Sequence, residues 1–351
     1  MTMMKWKTLP FALVVAAGLL VASRPAHAVC GEWECASNSP QIDDYDFHEL
    51  NVNGVPSPVE GFALVWFHDL ANQPYRLTVV NGTIIGKAKG KSDLVGGKLV
   101  GAQMLVSHRG IPRYLITITE VGGATFATAP SDKIETYRFT WTRYGSPPDP
   151  VDLCTHPPTD PTLVGDSETG DWGPFAAGSG MNLLHTLVFE GDRIDAAAKT
   201  ITGYDRDWFN FGCAGHTLSK MHLTHNTGIS GLDKPSATQD RRQTVLKMLV
   251  ADYCGDGTPF TVTGESLVWT DRTTMSFYKP PQSLEARWGP RGPTCLDTPR
   301  VTADPTNYDL AKSEFPDVEA AIAAQCTRPI HCPDPDPTVD EGELVRTGNH
   351  D

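Results

Sequence analysis

The eight cysteines are the feature that most restricts how this chain can fold. Their number is even and all of them lie beyond an N-terminal leader, a combination that indicates disulfide bonds in an exported protein. Eight cysteines allow about 100 different pairings, so the spacing alone does not choose among them. A zinc site is the competing interpretation, but it needs close pairs such as Cys-x-x-Cys, which the sequence lacks. We therefore predict no metal ion or other cofactor, and disulfide bonds among Cys30, Cys35, Cys154, Cys213, Cys254, Cys295, Cys326 and Cys332.

Residues 1–28 have the pattern of a secretory signal peptide. Lys5 and Lys7 supply the positive start, and residues 9–22 are mostly apolar but too short for a typical membrane span. Ala26-His27-Ala28 places small residues where a signal peptidase reads them, so cleavage is expected after Ala28. An uncleaved membrane anchor is the alternative. The expected location is secreted or periplasmic, with no membrane span after cleavage.

The amino-acid composition restricts both the class of binding partner and the fold class. The net charge of −13 argues against a nucleic-acid partner, because the phosphate backbone attracts basic surfaces. The 32 glycines and 28 prolines favour many turns and short strands over a helical bundle. Short apolar or alternating runs at 62–67, 75–80, 98–106, 114–121 and 136–142 are typical of a β-sandwich or small barrel, with a hairpin loop at 107–113.

The second half of the chain mixes strands with two candidate helices. Two short strands, 183–189 and 193–201, are expected on either side of Gly191-Asp192. Apolar spacings of three and four predict one helix from Phe211 to His225, and a second is predicted over 240–253. A further amphipathic helix is predicted over 309–324.

These patterns predict an α+β, β-rich fold. An N-terminal domain like a β-sandwich or barrel precedes a disulfide-stapled domain with an antiparallel helix pair and short strands. The Gly-Ser-Pro-Pro-Asp-Pro string at 145–150 marks the boundary between them. The expected segments are a signal peptide (1–28), an N-terminal segment (29–58), a β-rich domain (59–148), a disulfide-stapled domain (149–305), a C-terminal helical segment (306–332) and a disordered acidic tail (333–351).

Three blocks in the stapled domain carry a resemblance. They are Trp208-Phe-Asn-Phe-Gly-Cys-Ala-Gly215, Leu249-Val-Ala-Asp-Tyr-Cys-Gly-Asp-Gly257 and Glu285-Ala-Arg-Trp-Gly-Pro-Arg-Gly-Pro-Thr-Cys-Leu296. In this order they resemble the ADYC-domain family, exported bacterial proteins of unassigned function. The family takes its name from the residues that stand here as Ala251, Asp252, Tyr253 and Cys254. The resemblance implies a domain type and carries no activity with it.

The resemblance also implies a disulfide pairing. Domains of this kind often carry two further cysteines, at the positions of Met221 and Val245 in this chain. Their placement implies two antiparallel helices joined by a Cys213–Cys254 bond, with Met221 facing Val245. With that bond assigned, the resemblance implies a second disulfide bond between Cys154 and Cys295.

The motif Asp252-Tyr-Cys-Gly-Asp-Gly257 superficially resembles a calcium-binding loop. Asp252 would be the first ligand, Asp256 the third, and Gly257 the sharp turn. Cys254, Phe260 and Thr263 occupy positions that need oxygen ligands, including the bidentate glutamate at the end. A capped turn is the favoured interpretation, because a carboxylate beside a Gly-Asp-Gly turn accepts backbone N–H groups without any ligand.

His222 and His225 are three residues apart on the first predicted helix, as pairs of zinc ligands often are. No third ligand is fixed by the sequence and HExxH is absent, so ordinary buried or surface histidines are the favoured interpretation. No Gly-x-Ser-x-Gly string occurs either. We name no catalytic or cofactor-binding residue from the sequence.

The favoured function is a non-enzymatic binding or structural module at or outside the cell surface. The sequence identifies no partner, and a cell-surface glycan or a protein is the class expected of such a module. Dispersed tryptophans, among them Trp66 and Trp141, fit either a binding groove or a core, and a core is favoured. The alternative is a secreted hydrolase or metal-dependent enzyme with a site around Asp252, Asp256, His222 and His225.

Overall fold

The structure is a computed structural model. It describes residues 40–126, 129–154, 181–182, 184–228, 237–260, 268–271, 283–299, 322, 326, 331–332 and 345–349. The leader 1–28 and its expected cleavage site lie outside these residues, as do Cys30 and Cys35. The predicted helix 309–324 also lies outside them, apart from Ile322.

A ten-stranded antiparallel sheet, curled into a half-barrel, dominates the described residues. A two-residue ladder of β1 (Gln41–Ile42) and β2 (Tyr45–Asp46) precedes it. The ten strands of the main sheet are β3 (Glu49–Asn51), β4 (Phe62–His68), β5 (Pro74–Val80), β6 (Thr83–Lys87), β7 (Gln103–His108), β8 (Ile111–Phe126), β9 (Ala129–Arg143), β10 (Val151–Asp152), β11 (Thr186–Asp195) and β12 (Thr200–Cys213). Across the sheet the order is β3-β12-β11-β9-β8-β7-β4-β5-β6, and β10 pairs with β9.

The strand predictions for the front half agree with this sheet in position. The hairpin loop predicted at 107–113 is the turn at Arg109-Gly110 between β7 and β8. The run predicted as a strand over 98–106 begins instead with a short 3₁₀ helix, Gly96–Leu99, before β7. Alternation explains the long strand β8, in which Tyr114, Ile116 and Ile118 are buried while the residues between them are partly exposed.

The side chains that point inward from the sheet form an aromatic-rich core, here called the front cluster. Its fully buried aromatic side chains are Phe47, Phe62, Phe67, Tyr114, Tyr137, Phe139, Phe209 and Phe211. Edge-to-face contacts such as Phe47 with Phe62, at 5.0 Å between ring centres, contribute beyond the apolar area that they bury.

The β11–β12 hairpin is buried on both faces and belongs to two cores. Val188 and Phe211 point into the front cluster, whereas Phe189, Ile194 and Ile201 belong to a second core, here called the helix cluster. The prediction that this hairpin turns at Gly191-Asp192 is wrong. Gly191 lies inside β11 at a bulge, and the turn lies between Asp195 and Thr200.

Gly191 is needed at that bulge for a steric reason. Its φ of +112° is a left-handed value, and a Cβ there would lie 2.1 Å from the ring of Tyr204 on β12. This glycine therefore allows close packing within the strand and does not mark a turn.

Two helices cover the outer side of this hairpin and bury the helix cluster. They are α1 (Thr217–Leu223) and α2 (Gln239–Leu249), and Met221 and Val245 are both fully buried between elements of this cluster. The prediction that a helix begins at Phe211 is wrong, because β12 continues to Cys213. Phe209, Phe211 and Cys213 recur at every second residue, and the pairing of Phe211 with Val188 on β11 selects this strand period over the helical one.

A second sheet contains the C-terminal strands in the order β13 (Val268–Asp271), β16 (Val345–Asn349), β14 (Ser283–Gly289) and β15 (Gly292–Leu296). Val345–Asn349, which falls within the predicted acidic tail, forms a strand that pairs with both β13 and β14. The extent of the disordered tail stays a prediction. Val345 and Thr347 are β-branched residues, which favour strand conformation.

The predicted fold class is confirmed as β-rich α+β with disulfides in the C-terminal part. The main sheet is continuous across the expected boundary at 148–149, because β10 and β11 both pair with β9. The division into two domains at that point stays a prediction.

Candidate functional site

The Ala251–Gly257 segment forms a tight turn at the C-terminal end of α2. Ala251 has a φ of +50°, a left-handed conformation that commonly ends helices. The N–H of Asp252 donates to the carbonyl of Lys247 at 2.9 Å, which closes the last turn. This geometry directs the Asp252 side chain back towards the helix and into the protein.

Asp252 and Lys247 form a buried ion pair at this turn. The Nζ of Lys247 lies 2.5 Å from Oδ2 of Asp252, and both side chains are almost completely buried. Lys247 also donates to the carbonyl of Ala198 at 2.8 Å and to that of Gly255 at 3.3 Å. The ammonium group therefore connects α2, the motif turn and the β11–β12 turn.

The Asp252 carboxyl is held by the same contacts. Its Oδ2 also accepts a hydrogen bond from the N–H of Gly257 at 2.8 Å. Burial raises the pKa of Asp252, whereas the Lys247 ammonium and the Gly257 N–H favour the charged form. A buried ion pair of this kind is weak evidence for stability in itself, but the loss of one partner is strongly destabilising.

The two glycines of the motif allow close backbone contacts. A Cβ at Gly255 would lie 2.2 Å from the carbonyl oxygen of Arg291, in the β14–β15 turn. A Cβ at Gly257 would lie 2.3 Å from the carbonyl oxygen of Ala197, in the β11–β12 turn. Both have positive φ values, so a side chain at either position would be strained as well as crowded.

Tyr253 connects the motif to the C-terminal sheet, and Cys254 connects it to Cys326. The buried Tyr253 hydroxyl donates to Oε1 of Glu285 at 2.5 Å, and its ring stacks on Trp288 at 5.7 Å. Cys254 forms a disulfide bond with Cys326. Each of the four residues that name the family is therefore buried or covalently bonded within the fold.

Asp256 differs from Asp252, because its side chain is exposed. Its Oδ1 accepts a hydrogen bond from the N–H of Thr258 at 2.9 Å, as in a capped turn. Asp252 and Asp256 therefore face different surroundings, one inside the protein and one at its surface. This arrangement is a capped turn, as predicted from the Gly-Asp-Gly string.

The histidines of α1 lie among aromatic side chains. The His222 ring stacks on Phe189 at 5.0 Å, and its Nδ1 lies 3.0 Å from the Thr227 hydroxyl. His225, just beyond α1, stacks on Phe126 at 4.0 Å. Burial, together with His225, lowers the pKa of His222 to about 3, so this ring is neutral at ordinary pH.

The third histidine of this stretch, His216, lies at the N-terminal cap of α1. Burial, together with Lys220, lowers the pKa of His216 to about 4. Among the described residues, no group of three or more His, Cys, Asp or Glu side chains is arranged to hold a metal ion.

The disulfide pairing implied by the family resemblance is wrong. Cys213 bonds to Cys154 with a Cα–Cα distance of 5.5 Å, Cys254 to Cys326 at 4.6 Å, and Cys295 to Cys332 at 4.9 Å. Cys213 ends a strand instead of beginning a helix, so it does not lie opposite Cys254. Thr186 of β11 pairs with Cys213, and its hydroxyl lies 3.0 Å from the sulfur of Cys154 after β10.

The buried polar residues of α2 include three that bind the β11–β12 hairpin, and the sequence alone did not identify them. Besides Lys247, Arg242 pairs with the buried Asp192, with its NH2 group 2.9 Å from Oδ1, and Gln243 accepts a hydrogen bond from the Ile201 N–H at 2.6 Å. All three bind the β11–β12 hairpin. When contacts are unknown, polar side chains of this kind are assigned to the surface, whereas all three are buried here.

In the described part of the chain, no helix has the length and apolar character required to cross a membrane. The sequence model of the ADYC domain family matches residues 96–302, which is more than half of the chain. Neither a curated protein nor a solved structure was found that matches the chain.

Proposed function

The chain belongs to the ADYC-domain family, and we propose that it is an exported, non-enzymatic binding or structural module that acts at or outside the cell surface. In this proposal the motif that names the family is a structural clamp. It holds α2, the β11–β12 hairpin and the C-terminal sheet together, and it leaves the surface of the half-barrel sheet available for contact with a partner.

One observation carries the proposal, namely that the Asp252 carboxylate is engaged inside the fold. It forms the buried pair with Lys247 and accepts from the Gly257 N–H, at 2.5 and 2.8 Å. A general acid or base must instead reach a proton on a substrate. The His222 ring on α1 is likewise buried, and it stacks on Phe189.

Three disulfide bonds among the described residues support the exported location. They join Cys154 to Cys213, Cys254 to Cys326 and Cys295 to Cys332. Such bonds persist in oxidising compartments and are rare in the bacterial cytosol. Together with the signal-like leader 1–28, they favour a secreted or periplasmic protein.

Location and pairing are tested on the full-length chain expressed in a bacterial host. We expect the protein in the periplasm or medium, with a new N-terminus at Val29, and the three disulfide bonds in a non-reducing peptide map. Cytoplasmic protein with free thiols at Cys154, Cys213 and Cys254 would contradict the proposal.

The enzymatic alternative is tested by comparing the mature protein with Asp252→Asn. Both are incubated with chromogenic esters, glycosides and peptides, with and without added zinc or calcium. We expect no turnover above buffer for either protein, and a lower midpoint of urea unfolding for the variant. Turnover by the native protein that Asp252→Asn abolishes without loss of its circular dichroism spectrum would establish the hydrolase instead.

A further inference from the structure

The outer face of the half-barrel sheet carries two cross-strand rows with an unusual composition. The first row is His68, Gln103, Thr117, Thr140 and Asp152, each paired with the next across β4, β7, β8, β9 and β10. The second row is Trp66, Leu105, Leu115 and Thr142. Directly paired residues of antiparallel strands project from the same side, so the two rows form one surface, here called the threonine face.

The threonine face lies on the side of the sheet away from the front cluster. Phe67, Met104, Ile116 and Phe139, which alternate with its residues along the strands, are buried in that cluster. Most side chains of the face are partly exposed. Leu105 is buried although it belongs to the outer face, and it lies between Trp66 and Leu115 in its row.

The two rows offer different chemistry side by side. Thr117, Thr140 and Gln103 present groups that can both donate and accept hydrogen bonds. Trp66, Leu105 and Leu115 present an aromatic and aliphatic strip. The Trp66 ring is held in place by stacking on His68, with 4.1 Å between ring centres and 13° between ring planes.

Within the two rows, the acidic side chain of Asp152 stands at one edge of the sheet and is already paired. Arg138 donates to both carboxylate oxygens of Asp152, at 2.8 and 3.0 Å, and to Glu120 at 3.1 Å. Between His68 and Asp152 the first row has only amide and hydroxyl side chains, in a chain whose net charge is −13. The face therefore suits an uncharged partner better than an ionic polymer.

We propose that the threonine face binds a neutral polysaccharide chain. The hydroxyl and amide row would exchange hydrogen bonds with sugar hydroxyls, while the adjacent strip would contact the apolar C–H surface of the sugar rings. With strands about 4.8 Å apart, the first row extends over about 19 Å, which is long enough for several sugar units. This inference rests on the proposed binding function and specifies its partner.

The test is native gel electrophoresis of the mature protein in gels that contain dextran, mannan, xylan or hydroxyethyl cellulose. Gels with anionic alginate and gels without polysaccharide serve as references. We expect retardation in at least one neutral polysaccharide and none in alginate. Retardation in no neutral polysaccharide, or in alginate alone, would overturn the proposal.

Two variants locate the binding surface. The triple variant Thr117→Val, Thr140→Val, Thr142→Val removes hydroxyls but keeps side-chain shape and strand preference, and we expect binding to weaken at least tenfold. Trp66→Ala should have a similar effect, and the triple variant decides if Trp66→Ala does not fold. Thr202→Val is the matched control, because Thr202 is exposed on β12 outside the face, and it should bind normally.

Equal binding by the triple variant and the native protein would overturn the assignment of the face. A dimer in sedimentation that the triple variant dissociates would assign the face to a second copy of the chain and would also overturn it. Reducing ends are measured in the same polysaccharide samples. Their appearance together with face-dependent binding would refute the non-enzymatic function while leaving the proposed surface in place.

Discussion

The front cluster and the helix cluster are stabilised by different interactions, although they share the β11–β12 hairpin. The front cluster consists mainly of aromatic and aliphatic side chains on a continuous antiparallel sheet. The helix cluster contains fewer aromatic side chains, and buried ion pairs and a disulfide bond surround it. The comparison teaches that where short elements cannot pair in one sheet, buried polar contacts and covalent bonds fix their positions.

The largest loss of stability is expected in the helix cluster, when one residue of a buried ion pair is replaced. Lys247→Met leaves the Asp252 carboxylate buried without its counter-ion, and we expect the free energy of unfolding to fall by about 3–5 kcal/mol. Urea unfolding followed by circular dichroism measures this change. Adding Asp252→Asn should recover much of the loss, because a neutral amide then replaces the uncompensated carboxylate.

Lys87→Met is the matched control for that experiment. Lys87 pairs with Asp93 at the surface, where both side chains are about half exposed, and an exposed pair contributes less than about 1 kcal/mol. If Lys247→Met and Lys87→Met lowered stability equally, the buried clamp would have no special role in the helix cluster.

Removal of the Cys254–Cys326 bond should come next in size. The bond joins residues 72 apart, and the chain-entropy model gives it about 4 kcal/mol. In Cys254→Ser with Cys326→Ser, we expect the amides of α2 and β14 to exchange hydrogen faster, with little change in β8 and β9. Equal acceleration in β8 and β9 would show that the two clusters unfold as one unit.

A smaller effect is expected from a single hydroxyl in the front cluster. Tyr137 accepts a hydrogen bond from the N–H of Ile84 at 2.8 Å and donates to Glu135. Tyr137→Phe leaves the Ile84 N–H buried without this acceptor and should cost about 2 kcal/mol in urea unfolding. The exposed Tyr144 provides the control, since Tyr144→Phe should leave the midpoint unchanged; a Tyr137→Phe midpoint equal to the native one would refute the bridging role.

The smallest effect is expected from the two buried histidines His48 and His222, which change how the free energy of unfolding depends on pH. Burial alone would lower the pKa of His48, but Asp46 and Glu49 raise it to about 9. The stability that His48 contributes is therefore complete below about pH 6.5, and it is lost as the pH rises towards 9. His222, whose pKa is lowered to about 3, destabilises the fold as the pH falls from 6.5 towards 3.

The free energy of unfolding, measured between pH 4 and 9 for the native protein and two variants, checks these opposite slopes. His48→Gln should flatten the decline above pH 6.5, and His222→Gln should flatten part of the decline below it. The same slope above pH 6.5 in the native protein and His48→Gln would contradict the role assigned to Asp46 and Glu49.

The local parts of the fold could be predicted from the sequence, and the contacts between distant segments could not. Alternation in β8 and the turn at Arg109-Gly110 depend on neighbouring residues, so they were found correctly. The start of α1 was misplaced, because the residues around Phe211 fit both a helical and a strand period. Only the pairing of Phe211 with Val188 decides between the two.

At the candidate site, too, the local motif could be predicted from the sequence and the contacts with distant segments could not. The sequence identified Leu249–Gly257 as the distinctive string and favoured a capped turn for Asp252–Gly257. The family model covers this string. It did not reveal Lys247 as the partner of Asp252, because a lysine on a helix is most often a surface residue. The contact of Lys247 with Ala198, 49 residues earlier, exists only once the hairpin and α2 have packed together.

The sequence by itself determined that this protein forms disulfides, folds as a β-rich α+β structure and carries the ADYC motif. Cysteine number, alternation and a short string of residues are properties of the linear chain. The tertiary structure alone decided which cysteines pair, which charges are buried together and which side of the sheet carries the threonine face. These depend on distances between segments remote in sequence, and such distances are set by the packing of the whole fold.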